Sequence, residues 1–257
     1  MQKITISEII DAEKQMLLDA EQKYGNYYQN AFGFVLLLQD FIESAMPDAW
    51  VFIIFLAQVR KHSLLALFST LRLHHVQAML GLRQVLEAGA SAAYAIGNPT
   101  EKGFTRTDKD GLVDAPQDLT KKRYEWLDKN YPEGSKVIKN FKTIINGSTA
   151  HSSMVYGFQN FKIDKESRGF HTPFFDFEDE YLVKTDLWQI GNILMGLMDL
   201  FYGINQNHPL LQFKSDFVKH LKELEAGNQA LKNEMMKNPR YINAGKRASQ
   251  TPPTNIP

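Results

Sequence analysis

The sequence predicts an all-α fold: a bundle of six or seven helices with a long N-terminal helix and at most one small hairpin. Three observations carry this. Apolar residues recur at steps of three and four from Leu17 through Ala20, Tyr24, Tyr27, Ala31, Phe34, Leu38 and Phe41 to Ala45, the spacing of one helix face. The stretch His74 to Ile96, HHVQAMLGLRQVLEAGASAAYAI, is apolar almost all the way round, which places it inside a domain rather than on its surface. Hairpin-like text, alternating aromatics around a Lys-Glu-Ser-Arg-Gly turn, is confined to residues 160 to 176.

Taken in order, Thr5-Ile-Ser-Glu8 is a capping box that starts the first helix. Gly25 and Gly33 are its bend points. Its aromatic stripe suits a bundle helix, or a coiled coil with a second copy of the chain, so a homodimer through the N-terminal helix is one expectation. Pro47 breaks the chain, and a second helix runs from about Asp48 to Leu73, apolar all round in its first half. The third helix ends at Gly97-Asn98-Pro99, because proline cannot continue it. Residues 99 to 118 form a polar loop rich in Gly, Pro and Asp. A short helix, LTKKRYEWLDKNY, follows. The next starts near Ser135 with Val137, Ile138, Phe141, Ile144 and Ile145 on one face, and Asn146-Gly147 ends or kinks it. The sixth helix runs from about Glu178 to Asn205 and the last from Ser215 to Lys237. Residues 1–238 make a single helical domain, and residues 239–257, poor in apolar side chains, read as a disordered tail.

Composition narrows the function. The 257 residues carry 29 Lys+Arg against 29 Asp+Glu, which removes a global electrostatic argument for nucleic acid. The absence of Cys excludes disulfides, thiolate metal sites and cysteine nucleophiles. The longest apolar run, Ala49 to Ala57, is interrupted by Arg60-Lys61-His62. A spanning helix wants about 20 apolar residues, so this run reads as a buried core helix and the protein as cytoplasmic, without a membrane partner.

The chemistry centres on the third helix. Arg83 and Glu87 stand four residues apart on one face, with Tyr94 seven further along the same stripe. Charge in an apolar helix is paired or costly, so the pair is either a tie between helices or a fork-shaped anion site. His151, in the Ser-rich turn GSTAHSS, is a candidate acid, base, ligand or structural histidine, and Ser152 beside it a hydroxyl that can cap a helix or bind a phosphate. Asn192 and Asp199 lie seven apart on the sixth helix and are further ligand candidates. No Glu-x-x-His is present, and His74 and His75 are adjacent and so splayed by about 100°, which argues against a metal site. Gly-x-x-x-x-Gly-Lys and Gly-x-Ser-x-Gly are also absent, and no cofactor is implied.

The segment LGLRQVLEAGASAAYAI, followed 64 residues after Glu87 by TAHSS, resembles a broad group of bacterial helical proteins of unassigned function. In these an Arg-x-x-x-Glu helix is paired with a later His-Ser-Ser or His-Pro-Ser turn. Some are similar to the HEPN domains. The resemblance covers roughly residues 60 to 205. It implies a helical fold, a site at Arg83, Glu87 and His151, and a role linked to phage defence or toxin–antitoxin systems. HEPN ribonucleases carry Arg, four to six residues, then His on one helix. Here the intervals Arg60–His62, Arg72–His74 and Arg168–His171 are shorter, so the resemblance does not extend to that motif.

Two functions remain open at this point. One is a ligand-binding or interaction module. The other is an enzyme on a phosphate-bearing substrate or RNA, HEPN-like, with His151 as acid or base and Arg83 as electrostatic stabiliser. Either one brings Arg83 against Glu87 and within a side chain's reach of His151, because unpaired polar groups in a core cost about 1–3 kcal/mol each.

Overall fold

A computed structural model describes residues 5–100, 103–107, 109–111, 113–148, 157–164 and 169–243. Its helices are α1 (Ile6–Tyr24), α2 (Asn26–Asp40), α3 (Trp50–Leu71), α4 (His75–Gly97), α5 (Leu119–Asn130), α6 (Pro132–Ser148), α7 (Glu180–Asn207) and α8 (Phe217–Met235). The strands are short: β1 (Ile42–Ala45), β2 (Arg106–Thr107), β3 (Val113–Asp114), β4 (Lys162–Asp164), β5 (Gly169–His171) and β6 (Leu211–Phe213). They pair antiparallel, β1 with β6, β2 with β3 and β4 with β5. The fold is an all-α helical bundle, with eight α-helices among the described residues where the sequence predicts six or seven; β4–β5 is the hairpin that the sequence indicates, and β2–β3 is a second short pairing that it does not.

The capping box at Thr5 forms. The Glu8 carboxylate accepts from the Thr5 N–H at 2.7 Å, and the Thr5 hydroxyl accepts from the Glu8 N–H at 3.3 Å. The single long N-terminal helix does not. Gly25 adopts φ +50°, ψ −126°, a conformation that glycine alone enters cheaply, and breaks the helix into α1 and α2. The apolar stripe survives the break, because Tyr24, Tyr27, Ala31, Phe34, Leu38 and Phe41 are all buried in the chain's own core. The stripe's expected end at Ala45 is instead strand β1, held by β6 across the molecule. Asn205 pins that return: its side-chain oxygen accepts from the Leu210 and Leu211 N–H groups at 3.0 and 2.9 Å, and its amide donates to the Leu211 carbonyl at 2.8 Å.

The centre of the bundle is α4, as its all-round apolar text requires. It packs along α3 and against α7. Its small residues set the spacing. A Cβ at Gly81 would lie 3.2 to 3.3 Å from Ala66, and one at Gly89 would lie 2.6 Å from the Leu197 side chain. Phe52 and Phe201 meet edge to face at 5.4 Å, and Phe34, Phe52, Leu82 and Phe201 are fully buried. Each large side chain so buried stabilises the fold by about 1.5–3 kcal/mol before entropy is counted.

Helix α3 departs from the expected core helix. Its inner side is buried, but Trp50, Ile53, Ile54, Leu65 and Phe68 are exposed. By length and composition the segment Pro47–Leu71 is long and apolar enough to cross a membrane, with 39% of its most apolar window buried inside the fold. The 99–118 segment is anchored by Phe104, 6% exposed, whose ring meets Phe55 at 5.6 Å and Tyr94 at 5.4 Å. The expectation of an unpacked tail from residue 239 is also corrected at its start. Residues 239–243 are helical, and Arg240 donates to both oxygens of Asp179 at 2.6 Å while its guanidinium lies 5.1 Å from the centre of the Tyr181 ring. The rest of the tail lies outside the described residues.

Candidate functional site

Glu87 is the junction of three helices. One carboxylate oxygen accepts from the Arg123 guanidinium of α5 at 2.7 Å, and the other sits 2.5 Å from the Lys142 ammonium of α6. Arg123, 5% exposed, also donates to the Ser91 hydroxyl at 2.6 Å. Lys142 donates to the Tyr124 hydroxyl at 3.0 Å, and Arg123, Lys139 and Lys142 all approach the Tyr124 ring within 5.3 Å. Burial works to raise the Glu87 carboxyl. The Lys142 hydrogen bond and the charges of Arg123 and Lys142 outweigh it and hold the group below its ordinary value. The cluster carries one carboxylate against two cations, and the Nε of Arg123 is buried with no hydrogen-bond partner.

The expected Arg83–Glu87 pair is not formed. Arg83 is half-buried and makes no ion pair among the described residues. Its place is taken by Arg123, which reaches Glu87 from another helix. The sequence carried a signal for it. Leu119, Arg123 and Leu127 lie at i, i+4, i+8 and all three are buried, so the arginine stands on the one apolar stripe of a polar helix. Tyr94 lies tilted against Phe104 at 5.4 Å and meets Trp126 edge-on at 5.7 Å, so it belongs to the aromatic cluster that seats the 99–118 segment. His151 and Ser152 lie outside the described residues.

Beside the Glu87 cluster, between α4, α6 and α7, opens a cavity of about 370 Å³. Leu86 and Phe141, the residues immediately before Glu87 and Lys142, line it together with Ile193, Leu197 and Leu200. Leu86, Ile193, Leu197 and Leu200 are buried and form its floor. Asp199 and Glu133, both exposed, line it too and have no ion-pair partner among the described residues. Gly196 and Gly203, seven apart on α7, face the same space. A Cβ at either would meet nothing within 4 Å, so the helix presents bare backbone to the opening.

Asn192 does not share this cavity. It lines a second groove, about 430 Å³, with Trp188, Lys222, Glu225 and Lys232, and accepts from the Asn228 amide at 3.5 Å. Asn192 and Asp199 do lie on one side of α7. That helix is about 40 Å long at 1.5 Å per residue, and α8 flanks one stretch of it while α6 flanks another.

A second polar centre was not singled out in the sequence. At the α3–α4 junction, His75 Nδ1 lies 2.6 Å from Asp186 Oδ2 of α7, with the two side chains 11% and 5% exposed. The His75 N–H donates to Asp176 at 2.8 Å, and Glu13 binds Arg72 and His74 at 3.3 and 3.4 Å. Leu73 between them has φ +57°. Among the described residues no group of three or more His, Asp or Glu is placed to hold a metal ion. Comparison with family models, with curated proteins and with solved structures yields no match.

Proposed function

We propose that the chain is a ligand-binding helical module whose site is the cavity between α4, α6 and α7. The ionic tie at Glu87 holds two walls of that site, α4 and α6, in register. The observation that supports this reading is the cavity's chemistry: an apolar floor, a strip of bare α7 backbone, and two carboxylates, Glu133 and Asp199, without an ion-pair partner among the described residues. Its volume of about 370 Å³ lies within the usual range for small-molecule sites. The occupant that fits is a small molecule with an apolar body and a cationic head.

Octylammonium is the direct probe, with octanoate as its charge-reversed control. Burying a methylene gains about 0.8 kcal/mol, and association costs at least about 4 kcal/mol, so a Kd of several to tens of millimolar is expected. Calorimetric or NMR titration should show octylammonium binding at least tenfold tighter than octanoate. Gly196→Leu, which fills the opening, should abolish binding, and Asp199→Asn should narrow the difference between the two probes. Equal binding of both probes, or binding untouched by Gly196→Leu, refutes the reading.

A second reading rests on the surplus positive charge at Arg123 and Lys142. These two cations favour a phosphate-bearing ligand, and with it the HEPN-like ribonuclease alternative, in which His151 supplies the acid or base. Incubation of RNA oligonucleotides with the wild-type chain and with His151→Ala tests it. Cleavage by the first and not the second is the expected signature, and no cleavage by either removes it.

A further inference from the structure

Among the described residues, the fold leaves one face of α3 apolar and uncovered. Trp50, Ile53, Ile54, Leu65 and Phe68 are 39 to 48% exposed, and Ala57 and Lys61 between them are exposed as well. With half-buried Leu64 they fall on one side of the helix at steps of three and four. At roughly 200 Å² per large side chain, the five exposed ones put about 400 Å² of apolar surface on this face. A patch of about that size matches the largest one on a typical monomer, which is often functional.

The stripe is symmetric about position 59. In an antiparallel pairing centred there, Trp50 of one chain meets Phe68 of the other, Ile53 meets Leu65, Ile54 meets Leu64, and Ala57 meets Lys61. Aromatic faces aromatic at the two ends, branched aliphatic faces branched aliphatic inside them, and the smallest side chain faces the longest at the centre. That is the self-complementarity an isologous two-fold interface requires. Antiparallel helices also oppose their dipoles favourably. We infer that a second copy of the chain covers this face through an antiparallel α3–α3 pairing. The apolar side chains of this face alone supply about half of the roughly 800 Å² per partner of a standard stable interface. The aromatic stripe of α2 is spent in the chain's own core, so the dimer contact lies on α3 rather than on the N-terminal helix.

Sedimentation of the full chain tests this. A concentration-dependent dimer is expected, and Ile54→Glu, at an exposed position, should weaken it at least 30-fold while leaving the circular dichroism unchanged, and the Tm unchanged at concentrations where both chains are monomeric. The chain has no Cys, so introduced thiols report register cleanly. An Ala57→Cys chain mixed with a Lys61→Cys chain should oxidise to a heterodimer. Trp50→Cys alone should not, because the pairing sets its two copies about 27 Å apart along the axis. A monomer at several hundred micromolar overturns the inference. So does a dimer indifferent to Ile54→Glu, self-cross-linking of Trp50→Cys, or a monomer that floats with phosphatidylglycerol vesicles until Ile54→Glu releases it.

Discussion

Arg123 binds the Glu87 side chain, the Ser91 hydroxyl and, through stacking, its own neighbour Tyr124, so one guanidinium ties α5 to α4. Removing one member of a buried ion pair leaves the other desolvated and unpaired, at a cost of about 3–5 kcal/mol. Glu87 keeps 30% of its side-chain exposure and keeps Lys142, so Arg123→Ala should fall at the lower end, about 3 kcal/mol of unfolding free energy in urea. Arg83→Ala should cost less than about 1 kcal/mol, because Arg83 has no ionic partner to strand among the described residues. Equal losses in the two variants would return the central role to Arg83. The sequence made Glu87 legible because a charge inside an apolar helix is conspicuous. It did not name the partner, since the i, i+4 spacing of Arg83 describes one helix and the choice between Arg83 and Arg123 is made by how α5 docks.

At the level of elements, the α3–α4 junction is fastened to α7 by protons. Leu73 in the left-handed region costs about 1–2 kcal/mol. The Asp176 backbone N–H donates to the Leu73 carbonyl at 2.9 Å, and the Asp176 side chain accepts from the His75 N–H. Burial pushes the His75 imidazole down, but the hydrogen bond and charge of Asp186, with the charge of Asp176, carry it above its ordinary 6.5. Burial also lifts Asp186 above its ordinary 3.8, against the pull of His75. Both groups hold their protons more tightly in the folded state, so the two shifts act in the same direction. The His75 contribution is complete below pH 6.5 and is lost as pH rises through the higher folded value. Melts from about pH 5.5 to 9 should show Tm declining on the alkaline side, and Asp186→Asn should flatten the slope. An unchanged slope in that variant would separate the junction from the pH effect. Helix ends here were readable from caps, prolines and glycines. The β1–β6 pairing was not, because Ile42-Glu-Ser-Ala45 has no strand pattern of its own and is extended only by residues 211–213.

For the whole molecule, the class of fold was legible because 3–4 periodicity runs through nearly every segment and survives even the break at Gly25. The cavity was not legible, because it is made by α6 standing away from α7 over Gly196 and Gly203, a matter of docking that no local pattern records. The same long-range docking orders events in time. Helix α2 is covered by α7 and α8, whose residues follow it by more than 140 positions, whereas α3 and α4 are consecutive and pack on each other. Loop closure is cheap for the second pairing and slow for the first. Pulsed hydrogen exchange during refolding should therefore protect α3 and α4 amides earliest and α2 amides together with those of α7. On the ribosome, Phe34, Leu38 and Phe41 stay wet until nearly the whole chain has emerged, and a nascent chain stalled before α7 is a client for any chaperone that recognises exposed aromatic side chains.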